Sequence, residues 1–156
     1  MMNQIMQEVG IIIKSAREIA IMREAGRIVA AVIEALTKEV KPGVTTAELE
    51  DIAVREFKRR GAIASFKGYR GFPASICTSV NEEVVHGIPG ARALKAGDII
   101  SLDVGAMVNG FHADAAVTLG VGTISPDAQK LIATTKGALE AGIAAARNGA
   151  RLGDVS

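Results

Sequence analysis

Two apolar-rich runs, DIISLDVGAMV at residues 98–108 and FHADAAVTLG at residues 111–120, lie on either side of Asn109-Gly110. An Asn-Gly pair between such runs is a strong hairpin signal, because a type I′ turn needs a positive φ at both central positions. A two-residue turn also fixes the pairing, with Gly105 opposite Asp114 and Asp103 opposite Ala116. The sequence therefore predicts an antiparallel hairpin of defined register.

The two faces of this hairpin differ in chemistry, since side chains alternate along each strand. One face is apolar throughout: Leu102, Val104, Ala106, Val108, Phe111, Ala113, Ala115, Val117 and Leu119. The other carries Asp103, Gly105, Met107, His112, Asp114 and Ala116. Asp103 and Asp114 are diagonal neighbours on that face, with Cβ atoms about 7 Å apart or less. We expect Gly105 to leave the space between the two carboxylates open.

Two carboxylates at this separation allow two interpretations. They are well placed to hold a pair of divalent cations about 3.5–4 Å apart. Alternatively, both are solvated on an exposed sheet face. The spacing alone leaves both open, and a three-residue turn would place the two aspartates on opposite faces.

Three helices are predicted around the hairpin. Ser15 with Glu18 and Thr45 with Glu48 form two S/T-x-x-E capping boxes, and Ser125-Pro126 resembles an N-cap followed by the first helical position. The first helix ends at 41–43, the second before Gly61 and the third at Arg147. The segment 62–80 is expected to form extended pieces. The apolar stripe of the first helix is Ile19, Met22, Gly26, Val29, Ile33 and Leu36, and that of the third is Ala128, Leu131, Ile132, Thr135, Leu139, Ile143 and Ala146.

Composition narrows the class of protein. With 156 residues, 49% of them hydrophobic and 22% charged, the chain is expected to be globular, and its net charge of +1 indicates neither a nucleic-acid nor a membrane partner. Cys77 is the single cysteine, which excludes an internal disulfide and suits the cytosol. No run of 18 apolar residues and no signal-peptide pattern over Met1–Lys14 is present, so we expect a cytoplasmic protein.

His86 lies in the string NEEVVHGIP at residues 81–89. A lone histidine in a loop is most often a polar surface residue. The functional alternative is a hydrogen-bond donor or a general acid–base group, since imidazole serves both purposes near neutral pH.

Several motifs together resemble one family. NEEVVHGIP (81–89), KAGDIISLDVG (95–105) and GFHAD (110–114) follow in the order and at the spacing found in type I methionine aminopeptidases. IIKS (12–15) and MREAG (22–26) resemble the opening segment of that family. The similarity extends from about Ile11 to the last residue.

This resemblance implies an α+β pita-bread fold, in which an antiparallel sheet is covered by helices. It further implies removal of the initiator methionine from nascent peptides with a small second residue, using two divalent ions of Co, Mn, Fe or Zn. By position, Asp103 and Asp114 correspond to the first two metal ligands, and His86 to a catalytic histidine that contacts the substrate. Tyr69, Phe72 and Cys77 correspond to the methionine pocket, with ordinary core packing as the alternative. Phe66 stands where many relatives have a smaller residue, and the family assigns no metal-binding role to His112.

The resemblance also implies a domain organisation. Residues 1–10 would be an N-terminal extension, 11–124 the first pita-bread half, and 125–156 the start of a truncated second half. A faint internal repeat, in which a helix, a glycine and a further helix recur around Gly43 and Gly149, supports that division. The family takes one His and two Glu ligands from its second half, and no candidates for them exist here. We therefore expect little or no activity from this chain alone.

Two other functions fit the sequence less well. One is a prolidase-type pita-bread peptidase. The other is a catalytically inactive half-domain that binds peptides or oligomerises, because an uncovered half-interface would expose a large apolar patch. For the methionine aminopeptidase, the expected partner is the N-terminus of a nascent peptide. The exposed half-interface predicts that the chain also forms a homo-oligomer.

Overall fold

The computed structural model describes residues 12–156, and the predicted N-terminal extension at residues 1–10 lies outside the described residues. The elements in chain order are helix α1 (Ala16–Glu39), helix α2 (Thr46–Arg60), strand β1 (Ile63–Ala64), a 3-10 turn (Tyr69–Gly71), strand β2 (Ile76–Val80), strand β3 (Ile99–Val108), strand β4 (Phe111–Gly120), helix α3 (Pro126–Ala145) and helix α4 (Leu152–Val155).

The helix ends follow the predicted capping chemistry. Ser15 and Thr45 each accept a hydrogen bond from the backbone N–H of the glutamate three residues later, and each glutamate accepts one from its N-cap backbone in return. Gly61 ends α2 in the left-handed conformation, and Ser125 caps α3 ahead of Pro126. Side-chain capping satisfies N–H groups that a helix start otherwise leaves unpaired.

The sheet is antiparallel and is organised around β3. On one side β3 pairs with β4 over its whole length, with Gly105 opposite Asp114 and Asp103 opposite Ala116, as predicted. On its other side β3 pairs first with β2 and then with β1, so Cys77 lies opposite Asp103. Asn109 and Gly110 have φ values of 48° and 82°, as the predicted two-residue turn requires.

Helices α1 and α2 pack on the apolar face of this sheet. Leu102, Val104 and Ala106 of β3 are fully buried there. The buried residues of α1 are Ala25, Ile28, Val29, Val32 and Leu36, so the predicted stripe is only partly correct. Ile19 and Met22 are 39% and 37% exposed, because the helix turns a neighbouring set of side chains toward the sheet.

Helix α3 contributes little to this core. Although every residue of the helix is described, none is buried, and Leu131, Leu139 and Ile143 are 58%, 60% and 64% exposed. The second half of the predicted apolar stripe of α3 therefore faces solvent, whereas Ala128 and Ile132 near its start are half-buried. Over residues 12–156, no helix combines the length and the apolar character that crossing a membrane requires.

Candidate metal centre

The face of the sheet opposite the helices carries the candidate site. Asp103 on β3 and Asp114 on β4 lie on this face as diagonal neighbours, since Asp114 pairs with Gly105. Asp114 is exposed, whereas Asp103 is partly buried and its Oδ1 atom is fully buried. One oxygen of Asp103 is therefore shielded from solvent, whereas the Asp114 carboxylate lies on an exposed part of the face.

The electrostatics of the pair follow from this placement. Burial raises the pKa of the Asp103 carboxyl above its ordinary value, and the nearby Asp114 carboxylate raises it further. The imidazole of His86 acts in the opposite direction on the Asp103 pKa, so it lies within electrostatic range of this carboxyl. The buried Oδ1 of Asp103 has no hydrogen-bond partner within residues 12–156. A buried acceptor without a partner next to a second carboxylate is an environment that a cation would stabilise.

Cys77 lies beside this pair. It is buried at 3% exposure and faces Asp103 across the β2–β3 pairing. Burial, together with the charges of Asp103 and Asp114, raises the pKa of the Cys77 thiol to about 11. The thiol is therefore protonated and unreactive near neutral pH.

The segment that carries His86 is held in a strained conformation. His86 has a φ of 60°, a left-handed conformation that costs a residue other than glycine about 1–2 kcal/mol. Gly87 follows with its backbone against β2, where the Thr78 N–H donates to the Gly87 carbonyl at 2.8 Å and the Gly87 N–H donates to Ser79 Oγ at 3.1 Å. A Cβ at position 87 would lie 2.2 Å from the Thr78 carbonyl oxygen, so only glycine fits.

Two other residues of the string NEEVVHGIP make hydrogen bonds that hold the His86 loop in place. Asn81 donates to Asp98 at 2.8 Å and accepts from the Ile99 N–H at 2.9 Å. Glu83 accepts from the Val80 N–H at 2.8 Å and from Arg92 at 3.1 Å. These polar residues fix the loop around His86, so they act as positioning groups. The Asp98 and Arg92 contacts join segments distant in sequence, and no sequence pattern pointed to them.

The far end of the His86 loop is tied to the start of α2. Thr46 Oγ donates to the Gly90 carbonyl at 3.0 Å, and the Gly90 N–H lies 2.9 Å from the same hydroxyl. The Ala47 N–H also donates to the Gly90 carbonyl, at 2.9 Å. The loop is therefore anchored both to β2 and to a helix of the core.

The three predicted pocket residues do not share one environment. Tyr69 is 66% exposed with Arg70 stacked 5.5 Å from its ring centre, whereas Phe72 is half-buried. Both lie on the connection between β1 and β2, and Cys77 lies on β2 itself. Glu50 of α2 accepts hydrogen bonds from the N–H groups of Ser75 at 2.7 Å and Ile76 at 3.2 Å, which holds the end of this connection.

The expectation that Gly105 leaves an open space between the carboxylates is wrong. A Cβ placed on Gly105 would lie 2.6 Å from Cε1 of Phe66 and 2.9 Å from Cβ of Ser65. Both side chains therefore occupy the surface directly above this glycine. The sequence singled out Phe66 only by comparison with the family and did not place it here.

Comparison with known proteins assigns the class. The model of metallopeptidase family M24 matches residues 20–156, and the chain belongs to this family. It is 58% identical over 146 residues to methionine aminopeptidase 1 of Bacillus subtilis and 54% identical over 147 residues to the methionine aminopeptidase of Clostridium acetobutylicum, covering 94% of this chain in both cases. It spans 59% of the length of each of these relatives.

Solved structures agree with this assignment. The methionine aminopeptidase of Thermotoga maritima superposes with a TM-score of 0.91 at 42% identity, over 93% of this chain and 59% of that structure. A prolidase of Pyrococcus furiosus superposes at 0.73 with 20% identity, over 85% of this chain and 38% of that structure, which shows the fold alone. The α+β pita-bread fold predicted from the sequence is confirmed.

Proposed function

We propose that this chain carries the first part of a methionine aminopeptidase that removes the N-terminal methionine from nascent peptides with a small second residue. The observation that supports it most directly is the carboxylate pair of Asp103 and Asp114 on one sheet face. The His86 imidazole is close enough to lower the pKa of the Asp103 carboxyl. The strong identity to methionine aminopeptidases adds to this support. The reaction belongs in the cytoplasm, where nascent chains emerge.

The carboxylate pair fits part of a site for two divalent cations. The unpaired Oδ1 of Asp103 offers a buried acceptor, and Asp114 offers a second carboxylate close by. Oxygen ligands of this kind suit Mn or Fe and also accept Co or Zn. When bound, such ions supply the Lewis acidity that amide hydrolysis requires. Within residues 12–156 no group of three or more His, Cys, Asp or Glu residues forms a metal site, so the chain alone is proposed to be inactive.

His86 is proposed as the catalytic and substrate-binding histidine. The backbone of its loop is anchored on both sides of the residue, at Gly87 and at Gly90, while the His86 side chain is exposed and open to a substrate. An imidazole N–H donor at this place would stabilise the negative charge that develops on the substrate carbonyl oxygen. The left-handed φ of 60° is consistent with this role, because backbone strain concentrates at functional sites.

Tyr69, Phe72 and Cys77 are proposed to contact the methionine side chain. Two aromatic rings and a protonated thiol form a polarizable surface that suits a thioether. Tyr69 is 66% exposed in this chain, so the proposed pocket is open on that side.

Metal binding tests the site directly. Titration of the metal-free 156-residue chain with Mn²⁺, followed by the paramagnetic resonance of the free ion, is expected to show binding that Asp103→Asn and Asp114→Asn each weaken. Asp51→Asn is the matched control, since Asp51 is exposed on α2. Equal binding by all four proteins would contradict the proposed ligands.

A chimera tests the activity. The chain replaces the matching part of the Bacillus subtilis relative, whose remaining sequence is retained. This chimera is expected to release methionine from Met-Ala-Ser in a metal-dependent way and to leave X-Pro dipeptides intact. Asp103→Asn abolishes the release and Asp51→Asn preserves it. Cleavage of X-Pro dipeptides instead would indicate the prolidase-type alternative, and rapid methionine release by the 156-residue chain alone would refute its proposed inactivity.

Self-association of the chain alone is a second proposal, and α3 is the observation that favours it. Its Leu131, Leu139 and Ile143 are all more than half exposed, and apolar surface of this kind associates in water. Sedimentation at micromolar concentration is expected to show a homo-oligomer that Leu139→Lys dissociates. A monomer under these conditions would exclude the oligomerising module.

A further inference from the structure

Ser65 and His112 lie on opposite sides of β3 and meet above it. Ser65 follows β1 directly and its N–H donates to the Gly105 carbonyl at 2.9 Å, which continues the pairing of β1 with β3. His112 lies on β4 opposite Met107. The Ser65 hydroxyl and His112 Nδ1 are nevertheless 2.9 Å apart. Adjacent strands are about 4.8 Å apart, so the backbones of β1 and β4 lie about two strand spacings apart and the two side chains together reach across β3.

Gly105 makes this bridge possible. It lies in β3 between the two partners, and a Cβ there would approach Ser65 Cβ to 2.9 Å and Phe66 Cε1 to 2.6 Å. Any larger residue would therefore displace the hydroxyl, the ring or both. Because residue 105 has no side chain, the Ser65–His112 hydrogen bond and the Phe66 ring both fit above β3.

The bridge is adjacent to both functional parts of the site. His112 precedes Asp114 by two residues on β4, so the two side chains project from the same face. Phe66 follows Ser65 and begins the connection to β2 that carries Tyr69 and Phe72. The other end of that connection is held by Glu50. Within residues 12–156, the Ser65 end is held by the bridge, by the Ser65 N–H bond to Gly105 and by packing of the Phe66 ring on Gly105.

We propose that Ser65 and His112 are positioning residues, whose hydrogen bond across β3 fixes the Phe66 ring above Gly105 as a wall of the carboxylate site. The hydrogen bond and the position of the ring do not depend on the proposed function. Only the expected effect of the bridge on catalysis rests on that function. The wall stands next to Asp114, because Gly105 is the cross-strand partner of that residue.

Nuclear magnetic resonance of the 156-residue chain tests the bridge without reference to activity. Nuclear Overhauser contacts between the Phe66 ring and the Gly105 α-protons are expected in the wild type. Ser65→Ala should lose these contacts. Ser65→Thr should retain them because it keeps a hydroxyl, and His112→Asn should retain them because its side-chain amide lies near the position of Nδ1. Ser101→Ala is the matched control, because the Ser101 hydroxyl also bridges two strands on this face, to Thr118 at 2.8 Å, but contacts no part of the connection. Persistence of the Phe66 contacts in Ser65→Ala, or their loss in Ser101→Ala as well, would overturn the proposal.

The chimera then tests the catalytic consequence. Ser65→Ala is expected to raise KM for Met-Ala-Ser by roughly tenfold and to leave kcat within about twofold, because the wall orients the substrate and takes no part in the chemical step. Ser65→Thr is expected to restore KM. Equal losses in kcat for Ser65→Ala and Ser101→Ala would indicate a merely structural role and refute the positioning one. An inactive chimera would contradict the proposed function, whereas the resonance experiment would still decide the bridge.

Discussion

Gly87→Ala is predicted to detach the His86 loop from β2. The added Cβ would lie 2.2 Å from the Thr78 carbonyl oxygen, 2.8 Å from the Thr78 carbonyl carbon and 2.9 Å from Ser79 Cα. All three are backbone atoms of a buried strand, so no side chain can move aside. Carbon–oxygen contacts require about 3.3 Å, and the loop must therefore shift by roughly 1 Å. Gly87 does not have a positive φ, so the clash rather than the backbone conformation opposes alanine.

The cost follows from the hydrogen bonds that such a shift breaks. The Thr78 N–H to Gly87 carbonyl bond and the Gly87 N–H to Ser79 bond contribute about 0.5–1.5 kcal/mol each. Thr78 is 2% exposed, so its N–H is left unpaired in the interior at a further cost of about 1–3 kcal/mol. We expect the free energy of unfolding to fall by about 2–6 kcal/mol.

Urea denaturation followed by circular dichroism measures this loss. With a slope near 2 kcal/mol per molar urea, the midpoint should fall by about 1–3 M at unchanged slope. Hydrogen exchange at the Thr78 amide should accelerate. Gly26→Ala is the control, since its Cβ meets nothing within 4 Å in α1 and alanine is favoured in a helix by about 1 kcal/mol. A Gly87→Ala chain as stable as the wild type, with a protected Thr78 amide, would refute the reasoning.

Three further predictions concern the same sheet. Glu50→Gln replaces a carboxylate that accepts from two backbone N–H groups at the start of β2, and guanidinium denaturation should show a loss of about 1–2 kcal/mol. Cys77, buried and with its pKa raised to about 11, should react with a disulfide reagent at pH 8 at least about tenfold more slowly than in the unfolded chain. Asp103→Asn should raise the melting temperature in chelator at neutral pH. Because the Asp103 pKa is raised on folding, the wild type gains stability as the pH falls through that pKa, so the difference between the two proteins should narrow on acidification.

The hairpin and the helix ends could be predicted from the sequence because local chemistry determines them. Asn109-Gly110 permits one turn type, that turn fixes the register, and the register places both aspartates on one face. Capping boxes at Ser15 and Thr45 likewise specify where helices begin. In each case the determining residues are within a few positions of one another.

The remaining features depend on contacts between distant segments. Glu50 reaches the start of β2 only because α2 packs against the sheet, and Ser65 reaches His112 across 47 residues of sequence. Periodicity predicts the buried face of α1 only approximately, because packing against the sheet determines which of two neighbouring sets of side chains is buried. The contact of Phe66 with Gly105 could not be predicted, because the missing side chain at Gly105 suggested an open space and not a surface on which a distant ring packs.

The proposed roles of His86 and Asp103 account for local energetic costs that the fold itself does not require. His86 holds a left-handed backbone at about 1–2 kcal/mol, and the unpaired Oδ1 of Asp103 costs about 1–3 kcal/mol. Asp114 adds repulsion, shown by the raised pKa of Asp103. These costs are a substantial part of the 5–15 kcal/mol that usually stabilises a domain. Glycine at position 86 and asparagine at position 103 would remove most of them without disturbing the apolar core on the other face. A chain with both unfavourable residues, held in place by Glu83 and Gly87, is what the proposed catalytic role of His86 and the proposed metal-binding role of Asp103 predict.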